Sequence, residues 1–192
     1  MTTRPPHDRR TRQALEGYLV AAARTGDRDA LDRLVRLVGP RLLAHATRLL
    51  GDAEAARDVV QSAWVGILRA LPRLRVVAAV RSFALQIVTR RIARTIKLRQ
   101  RDRALAADFL AEAETAAPPL GELAADQANV RGAIALLPPA HRATLALFYL
   151  DDLSVAEVAT AMDVPPGTVK TRLMHARDKL RVILKGETDD KD

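Results

Sequence analysis

The segment from Leu153 to Lys185 leaves this chain the least freedom. Ser154-Val155-Ala156-Glu157 has the form of a capping box. The Ser154 hydroxyl accepts from the Glu157 amide while the Glu157 carboxylate reaches back to the Ser154 amide, which fixes a helix start at Ser154. Val155, Val158, Ala159 and Met162 supply its buried stripe, and Asp163-Val164 make a tight turn. Pro165-Pro166 then brings the fixed φ suited to the cap and first position of a second helix. That helix is predicted over Gly167 to about Lys185, burying Val169, Leu173, Ala176, Leu180 and Ile183. Two short helices joined by a turn of about three or four residues, the second more basic, form a helix-turn-helix. Its exposed face carries Thr168, Lys170, Thr171, Arg172, His175, Arg177 and Lys179. Thr168, Thr171, Arg172 and His175 share one side and reach base edges if the helix enters a major groove. Lys170, Arg177, Lys179 and Arg181 suit phosphates, which set affinity and register rather than sequence choice.

Charge organises the rest of the 192 residues. Between Val59 and Arg101 there is no acidic residue against ten basic ones: Arg69, Arg73, Arg75, Arg81, Arg90, Arg91, Arg94, Lys97, Arg99 and Arg101. Ten like charges repel one another unless an anion lies nearby. From Asp102 to Val130 the sign reverses, with six acids opposed by Arg103 alone, and Ala-Ala-Pro-Pro-Leu-Gly (116–121) interrupts any helix. The net charge of +8 points to a polyanionic partner. Scarce aromatics, 3% of the chain, and the abundance of Ala, Leu, Arg and Val favour helices over sheet. The absence of cysteine excludes a disulfide scaffold and thiol chemistry. His7, His45, His141 and His175 lie too far apart in sequence for a ligand cluster, so neither metal nor cofactor is expected. No apolar stretch approaches the ~20 residues that span a bilayer. The basic N-terminus has no secretory apolar core, so a cytoplasmic protein is expected.

The expected organisation is all-α: two small helical domains joined by a flexible acidic linker. The boundaries are a disordered N-terminus over 1–13, a helical bundle over 14–101, the linker over 102–126, a helix-turn-helix domain over 127–186 and an acidic tail over 187–192. Within the bundle, Leu31, Leu34, Val35, Val38, Leu42, Leu43, Ala46, Leu49 and Leu50 mark one face of a helix pair, with Gly39-Pro40 as a kink or a second start. Gly51-Asp52 ends one helix and caps the next, which buries Val59, Val60, Ala63, Trp64, Ile67 and Leu68. A further helix from about Ala79 to Arg101 sets Phe83, Ile87, Ile92 and Ile96 on one side and the arginines on the other.

At this point the residues resemble a known family. Ala135-Leu136-Leu137-Pro138-Pro139, Leu147 through Ser154, Glu157-Val158-Ala159 and Gly167 through Leu173 look like region 4 of the extracytoplasmic-function (ECF) sigma factors of bacterial RNA polymerase. Leu49-Leu50-Gly51-Asp52 followed by Asp58 through Trp64 is similar to region 2. The resemblance implies a binding protein rather than an enzyme, directing promoter recognition and transcription initiation. Its partners would be the core polymerase, promoter DNA and an anti-sigma factor, with no membrane and no small-molecule substrate. Asp58, Gln61 and Trp64 would meet the clamp helices of the core, although Trp64 also continues the buried stripe of Val60 and Ile67. Arg81, Phe83, Arg90, Arg91, Arg94, Lys97 and Arg99 would bind and open the minus-ten element, and the helix-turn-helix would read the minus-thirty-five element. Opening needs phosphate contacts plus a platform for an unstacked base. Phe83 stands where the family has tryptophan, Arg94 replaces an aspartate, and Arg90 stands where asparagine is frequent. The acidic linker is expected either to occupy the RNA exit channel or to serve as a plain tether. A stand-alone helix-turn-helix regulator is the alternative function, and it leaves the Asp58 to Trp64 motif unused.

Overall fold

Two Gly-Asp corners shape the first part of the chain. At Gly26 the backbone enters the left-handed region with φ 96, and Asp27 follows as an N-cap whose carboxylate accepts from the Ala30 amide at 2.9 Å. The Gly26 amide bonds to the Ala23 carbonyl and the Asp27 amide to the Ala22 carbonyl, the paired closure of a Schellman motif. A Gly-Asp pair recurs at Gly51, φ 68, whose amide closes on the Thr47 carbonyl at 2.9 Å, and Asp52 accepts from the amides of Glu54 and Ala55 at 3.0 and 3.1 Å. Each corner stops one helix and starts the next: α1 (Pro6–Arg24), α2 (Arg28–Leu50) and α3 (Ala53–Ala70).

The structure, a computed structural model, describes residues 6–107, 130 and 132–189. The described residues fall into two compact helical units and contain no strand, in agreement with the all-α expectation. In the first unit, two 3-10 turns (Leu71–Arg73 and Val77–Ala79) lead from α3 into α4 (Val80–Ala107). Leu19, Val20, Leu34, Val38, Leu42, Val60, Ile67, Leu85, Val88 and Ile92 form the core. A polar contact also ties α4 to each of the other three helices. Arg81 meets Glu16 of α1, Thr89 Oγ1 lies 3.2 Å from His45 Nε2 of α2, and Arg91 donates to the Ser62 hydroxyl of α3 at 3.0 Å.

Several expectations are corrected here. Residues 30–50 form one continuous helix rather than a pair: Pro40 sits on the exposed side of α2, where Leu34, Val38 and Leu42 on the opposite face hold the helix together across the missing amide. The buried stripe of α4 is Arg81, Ala84, Leu85, Val88 and Ile92, while Phe83, Ile87 and Ile96 are only half-buried. Leu68, expected in the core, is 39% exposed. The chain is helical from Pro6, within the stretch expected to be disordered, because Glu16, Leu19 and Val20 anchor α1 and extending an existing helix is cheap. For the same reason α4 runs past Arg101 to Ala107. Residues 108–126 of the expected linker lie outside the described residues.

The second unit opens with helical residues 132–135 and continues into α5 (Pro139–Leu145), which carries Pro139 at its first turn. A π turn over Ala146–Leu150 closes it, the Asp151 amide reaching back to the Ala146 carbonyl at 2.9 Å. The helix-turn-helix follows as α6 (Val155–Met162) and α7 (Pro166–Asp189). The capping box forms as read: the Ser154 amide donates to Glu157 Oε2 at 2.8 Å and the Glu157 amide to Ser154 Oγ at 3.3 Å. Asp163 makes the turn at φ 55, and the Asp163 and Val164 amides close onto the Thr160 and Ala159 carbonyls. Leu147, Leu153, Val158, Val169, Leu173 and Ala176 form the core of this unit. Leu180 and Ile183 are half-buried, and α7 extends to Asp189, into the expected acidic tail.

Candidate nucleic-acid interface

On α7 the buried positions Val169, Leu173 and Ala176 turn the rest of the helix outward. Lys170, Thr171, His175, Arg177 and Lys179 are exposed, and Thr168 and Arg172 are half-buried beside them. The Thr171 hydroxyl donates to the Gly167 carbonyl at 3.1 Å, which leaves its lone pairs to accept from a base or a water. Met174, 51% exposed, lies among these residues and was not singled out in the sequence. Its thioether chain suits a thymine methyl, and its spacing of four from Lys170 is the signal that would have found it. Arg181 pairs with Asp178 at 3.3 Å on the exposed side.

Two residues from before the helix-turn-helix support this face. The His141 ring on α5 stacks on His175 with centroids 6.3 Å apart. Burial and then the cations Arg172, His175 and Lys179 hold the His141 imidazole below its ordinary pKa. Tyr149, in the π turn, accepts from Arg177 Nε at 2.9 Å.

Along α4, Arg90, Arg94, Lys97 and Arg101 are exposed at spacings of four, three and four. The stripe covers about 16 Å at 1.5 Å per residue, with Phe83 half-buried at its N-terminal end. Arg101, outside the expected set, continues the stripe. Three expected basic members lie off this exposed stripe. Arg81 is 2% exposed and faces Glu16, because a helix entering the bundle at Val80 turns position 81 inward. Arg91 is half-buried and bound to Ser62. Arg99 is half-buried on the flank.

The α3 helix presents a different surface. Asp58, Gln61, Val65 and Leu68, spaced three, four and three apart, are exposed in one row, with Val65 at 50%. Trp64 is half-buried and its ring approaches Gly39 of α2. With a polar start, an apolar end and no cation, this row has the character of a surface that suits a protein partner better than a phosphate. No described helix is long and apolar enough to cross a membrane.

Comparison with known proteins assigns both units. The family described as Sigma-70 region 2 matches residues 34–104, and Sigma-70, region 4 matches residues 127–180. The chain is 32% identical over 150 residues to the ECF RNA polymerase sigma factor SigL of Mycobacterium tuberculosis, covering 74% of this chain and 82% of that protein. It is 29% identical over 180 residues to the RNA polymerase sigma-H factor of Pseudomonas aeruginosa, covering 88% and 93%. It is 26% identical over 183 residues to SigW of Bacillus subtilis, covering 86% and 95%. The fold is similar to that of the sigma factor RpoE of Bartonella quintana, solved with the anti-sigma factor NepR, at a TM-score of 0.65, 21% identity and coverage of 81% and 96%. It is also similar to CnrH, solved with the cytosolic domain of CnrY, at 0.66, 22% identity and coverage of 90% and 98%. A stand-alone regulator would leave the region 2 match without a purpose. The chain belongs to the ECF RNA polymerase sigma factors of the sigma-70 family.

Proposed function

We propose that this sigma factor docks on the core polymerase through α3 and binds promoter DNA through α4 and α7, so directing transcription initiation as a cytoplasmic protein with no catalysis of its own. The observation that carries this reading is the separation of surfaces: a polar-to-apolar row on one helix of region 2, and an outward basic stripe in each of the two regions. Asp58, Gln61, Trp64, Val65 and Leu68 make the docking row toward the clamp helices. Phe83, Arg90, Arg94, Lys97 and Arg101 meet the minus-ten strand, with Arg91 and Arg99 beside them. Thr168, Lys170, Thr171, Arg172, Met174 and His175 face the minus-thirty-five element, and Arg177 and Lys179 reach its phosphates. The regions extend over about 14–107 and 127–189, with the acidic segment between them as linker. An anti-sigma factor is the expected inhibitor, as the solved relative bound to NepR supports.

The experiment is to mix the purified chain with sigma-free core polymerase and its host's genomic DNA. A stable complex and transcripts that begin at discrete sites are expected. A chain that binds DNA while ignoring the core would overturn the reading.

A further inference from the structure

Tyr149 is placed by an irregularity. The π turn over Ala146–Leu150 widens the end of α5 by one residue per turn, a local distortion often found where a side chain must be re-aimed. Ala146 and Leu147 remain buried, while Tyr149 is turned out to 45% exposure. Phe148 meets the Tyr149 ring edge-on, with centroids 5.0 Å apart at 84°, and so restrains its tilt. The hydroxyl then accepts from Arg177 Nε at 2.9 Å, and the guanidinium carbon lies 5.8 Å from the ring centroid. The guanidinium is therefore held at its inner nitrogen, at the hydroxyl end of the ring. Its outer nitrogens make no hydrogen bond to the described residues and form a fork of the shape that matches a phosphate.

We propose that Tyr149 is a positioning residue for DNA binding, presetting Arg177 of α7 as a fork for a backbone phosphate. The inference rests on the proposed DNA role of α7. An arginine ordered before binding loses less side-chain freedom when the phosphate arrives. The contact concerns the backbone, so Tyr149 governs affinity across sequences and leaves base preference alone.

The test uses the full chain and a 30-bp duplex of random sequence, with binding read by fluorescence anisotropy over a salt series. Arg177→Ala is expected to weaken binding about fivefold and to lower the salt slope by about 1. Tyr149→Phe keeps the ring and loses the acceptor, and is expected to weaken binding about two- to threefold. Its salt slope should match wild type, because the arginine still neutralises a phosphate. In an Arg177→Ala background, Tyr149→Phe should have no further effect. The proposal is overturned if Tyr149→Phe binds like wild type, or if it weakens binding equally in both backgrounds, which would mark an effect on the fold. Failure of wild-type chain to bind, or an Arg177→Ala variant equal to it, would instead remove the DNA role of this part of α7, and the proposal with it.

Discussion

Arg81 Nε lies 3.8 Å from a carboxylate oxygen of Glu16, and the two side chains are 2% and 1% exposed. A pair withdrawn from water in this way adds little beyond a well-packed apolar pair, but removing one partner strands the other charge at a cost of about 3–5 kcal/mol. Arg81→Met is therefore expected to destabilise region 2 by about that amount in chemical denaturation. A Glu16→Leu/Arg81→Met double variant should recover most of the loss. The double variant should also keep the wild-type salt dependence of DNA binding, since the guanidinium faces the interior. An unchanged midpoint for Arg81→Met would show that the pair does not hold α1 to α4.

The corner between α2 and α3 is the second test. Asp52→Ala removes the acceptor of two amides and is expected to cost about 1 kcal/mol. Gly51→Ala forces a side chain into a backbone at φ 68 and is expected to cost about 1–2 kcal/mol. Thermal unfolding of the two single variants measures both. Melting with wild type would mean that the packing of α2 on α3 fixes the corner without its local signals.

How much of this was legible follows from the range of each signal. The capping box at Ser154 and Glu157, the turn at Asp163 and the corner at Gly51-Asp52 are written within a few neighbouring residues, and all three form as read. Gly26-Asp27 carries the same short-range signal. Pro40 and Arg81 misled for the opposite reason. A proline breaks a helix only when tertiary packing does not hold it, and an arginine faces solvent only when no buried carboxylate awaits it. Glu16 lies 65 positions away, so no local pattern announces the pair. Arg91 and Ser62 present the same difficulty at shorter range. His141 and Tyr149 carry no local signal of their contacts with α7, since those partners are set by how α5 and the π turn pack on it.

The row on α3 predicts a graded response. Val65→Glu and Leu68→Glu place charge at positions 50% and 39% exposed, so the fold should tolerate them. Core-polymerase binding should fall about tenfold or more if the row is the centre of the docking surface. Asp58→Ala with Gln61→Ala should weaken binding as well, with the melting temperature unchanged. Competition between variant and wild-type chains for limiting core reads the effect. Equal competition would remove α3 from the interface.

The stripe on α4 predicts a number. Each phosphate neutralised adds about 0.7 to 0.9 to the slope of log K against log salt, depending on whether the DNA is single- or double-stranded. Lys97→Ala with Arg101→Ala should lower that slope by about 1.4 to 1.8 in the core-bound protein. Arg91→Ala, which releases a side chain bound to Ser62, should leave the slope near wild type. A slope that tracks Arg91 and ignores Lys97 and Arg101 would put the phosphate path on the other side of the helix.

His141 stacks on His175, and burial first, then the charges of Arg172, His175 and Lys179, lower its pKa in the folded chain. The unfolded chain, with a histidine near about 6.5, binds the proton more readily, so protonation favours unfolding. The stabilising contribution of the neutral ring is present above about pH 6.5 and is lost as pH falls toward the lowered folded value. Region 4 of wild type should therefore lose more stability between pH 7.5 and pH 5.5 than a His141→Gln variant, which has no proton to take up there. Added salt at pH 5.5 should narrow the gap, because the cationic share of the effect is screened while the burial share is not. Parallel pH profiles for the two proteins would mean that the ring charges in place without disturbing α5 or α7.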